Sequence, residues 1–82
     1  MDQTDIYPPL TEIIREVLDD PDFQVGPETT ANDHADWNSF NHINIIVAVE
    51  VRFAIKLKTA EIESIRNVGD LVSLIARKRK AA

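Results

Sequence analysis

Ser39 is the residue of this chain whose type and position best suit chemistry. It stands in Asp36-Trp37-Asn38-Ser39-Phe40, at the head of an apolar run through Ile43, Ile45, Ile46, Val47, Val49 and Val51 to Phe53. A hydroxyl at a helix start lies at the positive end of the helix dipole, where free backbone N–H groups favour a bound or attached phosphate. On residue type alone a serine in this position is far more often a cap than a modification site. The chain offers no nucleophile–base pair, no metal cluster and no glycine-rich phosphate loop, and it has only two glycines. Catalysis by this chain itself is therefore not expected.

Other polar residues near Ser39 have simpler readings beside the sharp ones. His42 lies one helical turn further on, placed either to touch a phosphate or partner or to be an exposed helix histidine. Trp37 reads as an anchor that ties the preceding loop to the core. Asp33, His34 and Asp36 fall on a polar stretch where such groups are usually solvated, so no metal site is expected. Arg77, Lys78, Arg79 and Lys80 read as a solvated helix end that complements the dipole.

Four helices are needed to position these residues. Leu10, Ile13, Ile14, Val17 and Leu18 recur at the spacing of a helix with one buried stripe. Pro8 and Pro9 suit its start, and Asp19-Asp20-Pro21 suits its end. A loop of about sixteen residues follows over 21–36, long for a compact domain, with Phe23 and Val25 pinning it to the core. The second helix begins at Asn38 or Ser39 and ends between Phe53 and Ile55. Its apolar residues cover more than one face, so it is either surrounded or keeps apolar surface for a partner. Thr59 is expected to cap a short helix with Glu61 in its first turn, and Ile62 and Ile65 on its buried edge. Asn67 caps a last helix with Asp70 in its first turn and Val68, Leu71, Val72 and Ile75 as its stripe. The expectation is an all-α fold: a small bundle of three longer helices and one short one, with a long first loop. A single domain spans 1–82, with frayed ends at 1–7 and 77–82.

Composition sets outer bounds. The chain has 82 residues, 44% of them apolar, enough for one core. It has no cysteine, which removes disulfides and thiol chemistry. No secretory signal or membrane-length apolar run is present, so a cytoplasmic protein without stable membrane insertion is expected. Net charge is −5, arguing against a nucleic-acid partner. Residues 1–36 carry ten acids against Arg15, whereas residues 37–82 carry four acids against eight bases. The acidic first half is the part that attracts basic surfaces.

The chain resembles the acyl carrier protein family, most closely a specialised bacterial member. The resemblance rests on Asp36-Trp37-Asn38-Ser39-Phe40, on His42-Ile43-Asn44-Ile45-Ile46, on Glu50 and Phe53, and on Asn67-Val68-Gly69-Asp70-Leu71. It runs in register over about half the chain. By that likeness Ser39 accepts a covalent 4′-phosphopantetheine arm from coenzyme A, through a separate magnesium-dependent phosphopantetheinyl transferase. The arm then holds an acyl group as a thioester, and acyl-loading and acyl-transferring enzymes do the chemistry. Phe40, Ile43 and Ile62 are expected to flank the arm or its cargo. Asn38, His42 and Glu50 are expected to meet partners, and the carrier is expected to be a monomer. A specialised lipid or secondary-metabolite pathway is the expected setting. The alternatives are an aminoacyl or peptidyl carrier domain and an unmodified helical interaction module.

Three positions depart from the family pattern. Asn38 replaces the usual aspartate, keeping a cap and removing a charge that the transferase meets. Val51 and Arg52 flank Glu50 where carboxylates are usual, which implies more apolar and less salt-dependent docking. Ala54 stands where a glycine often follows the aromatic residue.

Overall fold

A computed structural model of the protein describes residues 5–81, without the side chains of Lys80 and Ala81. It contains helices α1 (Tyr7–Leu18), α2 (Ser39–Phe53), α3 (Thr59–Glu63) and α4 (Val68–Ala81), and no strand among the described residues. The proline pair occupies the first turn of α1, where missing N–H groups cost no hydrogen bond. The helix stops at Asp19, whose φ of 53° is left-handed. The N–H groups of Asp19 and Asp20 there return to the carbonyls of Glu16 and Arg15.

Ile6, Leu10, Ile14 and Leu18 recur every fourth residue and form one wall of the core. Ile45, Ile46 and Val49 of α2, and Val68, Leu71, Val72 and Ile75 of α4, form the others. Trp37 and Ile55 close the ends. Each such aliphatic side chain, fully buried, contributes about 1.5–3 kcal/mol.

The long loop is held by specific bonds along its length. Arg15 Nε donates to the carbonyl of Phe23 at 2.7 Å, and Phe23 and Val25 pack on the core as expected. A 3₁₀ turn at Ala31–Asp33, which carries no apolar periodicity, shortens the loop's second half. His34 then bridges the loop: Nε2 meets Asp20 Oδ2 at 3.0 Å, Nδ1 accepts from the N–H of Asp36 at 3.0 Å, and Phe23 packs edge-on at 4.9 Å. Between these ties the loop crosses the start of α4. The N–H groups of Val68 and Gly69 donate to the carbonyls of Thr29 and Pro27 at 2.8 and 2.9 Å. The approach is close enough that a Cβ on Gly69 would lie 2.9 Å from the Pro27 oxygen.

The structure corrects two expectations. Thr59 does not cap α3; it is the first helical residue, and Lys58 stands in the extended capping position. Glu61 makes the cap, accepting the N–H of Lys58 at 2.8 Å, because a carboxylate three residues on reaches back further than the Thr59 hydroxyl. The basic end of α4 is not frayed over the described residues: the helix continues to Ala81. Lys78 pairs with Glu61 at 2.8 Å and Arg79 pairs with Asp5 at 3.0 Å, so two of the four bases anchor the helix end. Near the N-terminus, Ile6 is wholly buried. Residues 1–4 and 82, also expected to fray, lie outside the described residues.

Candidate functional site

Helix α2 begins at Ser39, as its sequence predicts, because Asn38 is an effective cap. Asn38 Oδ1 accepts the N–H of Asn41 at 2.9 Å, and the Asn38 carbonyl takes the first helical bond, from His42, at 2.8 Å. Asn41 in turn donates through Nδ2 to the Asp36 carbonyl at 2.7 Å, fixing the strand of chain that leads into the helix. Asparagine thus performs the capping that aspartate performs in the family pattern.

These bonds leave the first residue of the helix free. Ser39 is exposed, and its hydroxyl makes no hydrogen bond among the described residues. The backbone N–H groups of Ser39 and Phe40 are also without partners there. An exposed hydroxyl beside two free N–H donors at a helix terminus fits a phosphate ester: the oxygen is open to modification, and the donors face the resulting charge.

The residues around Ser39 divide into three sets. Phe40 and Ile43 are 73% and 60% exposed and begin an apolar stripe that Val47 and Val51 continue down α2. This resolves the two readings of that helix: Ile45, Ile46 and Val49 enter the core, while a second apolar face stays in solvent. His42 turns the other way and is half-buried. Its Nδ1 accepts from the buried Trp37 indole N–H at 3.1 Å, and desolvation lowers its pKa below the usual histidine value. Trp37 and His42 line a cavity of about 50 Å³ with Thr29, Thr30, Ile65 and Val68.

Glu50 lies further along α2, and Ile62 lies on α3. The Glu50 carboxylate is half-buried and accepts the N–H of Leu57 at 2.9 Å, bracing the chain after α2. Ile62 is half-buried against the core on α3. Ala54, the substitute for glycine, takes φ of 55° at the α2 C-terminus, the left-handed conformation that a glycine adopts without strain. Sequence reasoning missed the Trp37–His42 bond; the spacing of an aromatic donor five residues before a histidine was its only sign. Among the described residues no group of three His, Asp or Glu side chains gathers as a metal ion needs. No helix there is long and apolar enough to cross a membrane.

A four-helix bundle that exposes a free serine at the head of its second helix is the architecture of a carrier domain. Comparison with known proteins supplies the family. No family model matches the chain. An acyl carrier protein from Acidothermus cellulolyticus is 33% identical over 76 residues, covering 93% of this chain and 90% of that protein. A meromycolate extension acyl carrier protein from Mycolicibacterium smegmatis is 32% identical over 75 residues, covering 92% and 76%. The solution structure of a holo acyl carrier protein from Geobacter metallireducens superposes with a TM-score of 0.83 at 40% identity, covering 90% of this chain and 88% of that one. The chain belongs to the acyl carrier protein family. It is accordingly a carrier and not a catalyst.

Proposed function

We propose that Ser39 carries 4′-phosphopantetheine and that this chain shuttles acyl groups between enzymes of a specialised lipid pathway. The observation that carries the reading is the open helix start: an exposed hydroxyl beside two backbone N–H groups, all three without a hydrogen-bond partner among the described residues. When bound, the arm supplies a terminal thiol that holds an acyl group as a thioester. The part played by this chain is electrostatic and geometric. The α2 terminus stabilises the phosphodiester charge by about 0.3–1 kcal/mol, and the exposed serine keeps the arm within reach of separate enzymes. Resemblance to the mycobacterial meromycolate carriers supports a lipid pathway with specialised partners.

The acyl-handling partners dock on the Phe40, Ile43, Val47 and Val51 stripe, which leads directly from Ser39. Glu50 and Arg52 are the only charged residues of α2, and the Glu50 carboxylate is already engaged by Leu57. Docking is therefore driven mainly by apolar burial and depends weakly on salt. Asn38 adds no charge beside the serine, which favours a transferase that tolerates its absence.

Intact mass before and after incubation with coenzyme A, magnesium and a broad-specificity phosphopantetheinyl transferase tests the reading. The expected result is a gain of one phosphopantetheine, abolished in Ser39→Ala. A folded protein that gains nothing, even as Asn38→Asp, refutes the carrier reading and leaves an unmodified interaction module.

A further inference from the structure

We propose that His42 is a positioning residue for the phosphodiester on Ser39, donating from Nε2–H to one of its oxygens, with Trp37 holding the imidazole in the required tautomer. The proposal rests on the reading of Ser39 as the attachment residue. It adds a role for a residue pair that carrier function does not by itself demand.

The tautomer follows from the donor inventory. Indole Nε1 is a donor only, so the 3.1 Å bond from Trp37 requires an unprotonated Nδ1 on His42. The neutral ring must then carry its proton on Nε2. Trp37 is 8% exposed and belongs to the core cluster, so its N–H has little freedom to turn elsewhere. The bond serves both partners, because a buried indole N–H left unpaired costs about 1–3 kcal/mol.

Nε2 is the free end of this pair. It has no hydrogen-bond partner among the described residues, and no buried side-chain nitrogen or oxygen there lacks one; Nε2 therefore reaches solvent. Ser39 and His42 are three residues apart on one helix, a spacing that places Cβ atoms about 5–6 Å apart on one face. An Nε2–H donor one turn below an attached phosphate supplements the two free N–H groups at the helix start.

The charged surroundings are sparse. On α2 no charged residue precedes Glu50, and on the preceding segment Asp36 is exposed. From the connection between α3 and α4, Arg66 lines the shared cavity, with its Nε held by Asp70 Oδ2 at 3.1 Å. Burial lowers the His42 pKa and so favours the neutral imidazole in the unmodified protein. A phosphodiester anion within hydrogen-bonding distance acts in the opposite sense and raises the His42 pKa. A phosphodiester has no ionisation of its own between about pH 4 and pH 9. Any inflection of its phosphorus resonance in that range reports a neighbouring group.

The experiment uses apo and transferase-loaded protein, with loading verified by mass. Long-range proton–nitrogen NMR spectra of both histidines and the phosphorus resonance are followed against pH. The expected result is an Nε2–H tautomer for His42 in the apo protein, a midpoint that moves to higher pH on loading, and a phosphorus inflection at that same midpoint. His42→Gln, taken to full loading as verified by mass, loses the inflection. An Nδ1–H tautomer in the apo protein overturns the proposal. So does fully loaded protein with a flat phosphorus titration, which leaves the carrier reading intact. An unmodified Ser39 instead overturns both, and the mass spectrum separates that failure from the other two.

Discussion

Asn38 and Asn67 start α2 and α4 with the same device. Each Oδ1 accepts the N–H three residues on, at 2.9 Å from Asn41 and 2.8 Å from Asp70. Beyond the cap the two helix ends diverge. At α4 the next two donors, Val68 and Gly69, are bonded to carbonyls of the long loop, and Asp70 Oδ2 accepts the N–H of Arg66. At α2 the equivalent donors, on Ser39 and Phe40, have no partner among the described residues. One terminus is closed by the fold and serves stability. The other is left open, and its unused donors are what suit it to a phosphate.

The largest expected difference between the two ends is in packing. Gly69→Ala drives a Cβ against the Pro27 carbonyl, and the backbone must shift to relieve it. The expected cost is about 1–3 kcal/mol. Ser39→Ala removes an exposed hydroxyl that has no partner among the described residues and should change stability by less than about 0.5 kcal/mol. Urea denaturation of both variants measures this; equal losses would mean that the α2 start is also structurally committed.

A smaller effect separates the caps. Asn38→Asp places a carboxylate at a terminus with no acidic residue in its first turn, and should stabilise by about 0.3–1 kcal/mol. It should also speed loading by a general transferase. Asn67→Asp should gain less, because Asp70 already occupies the first turn of α4 and repels a second charge. Similar gains at both ends would show that the surrounding charges do not distinguish them.

Sequence legibility followed the same division. The helix start at Ser39, the Asn38 and Asn67 caps, and the stripes of α1 and α4 are encoded by neighbours a few residues apart, where spacing alone defines the partner. The closure of α4 is not encoded that way. Its partners are the carbonyls of Pro27 and Thr29, and any residue type supplies a carbonyl. The pairing of Arg79 with Asp5 spans 74 positions, and no periodic pattern reports a contact at that range. Glu50 shows the converse limit: family likeness marks it for docking, and nothing in its spacing reports that its carboxylate accepts the N–H of Leu57. Around Ser39 the residue identities were legible, but the division of α2 into a core face and an exposed face needed the positions of α1 and α4.

The smallest expected difference is in titration, and it tests the two ends at the level of single amides. Asp70 is held below its ordinary carboxylate range, first by the backbone hydrogen bond from Arg66 and then by the Arg66 side chain. A carboxyl whose folded pKa is depressed stabilises the fold above its unfolded pKa, and that contribution disappears as pH falls through the folded value. Because the group is exposed, the effect on global stability is slight. Its local signature is clearer: on acidification below the ordinary aspartate range, the amide resonances of Arg66 and of the first turn of α4 should move together. Those of Ser39 and Phe40 should stay still, since no carboxylate caps α2. Asn38→Asp should transfer the acid response to Ser39 and Phe40 while leaving that of α4 unchanged. An acid response at Ser39 in the unaltered protein would instead reveal a carboxylate, with Asp36 the nearest in sequence, acting on the helix start, and the contrast between the two helix ends would fall away.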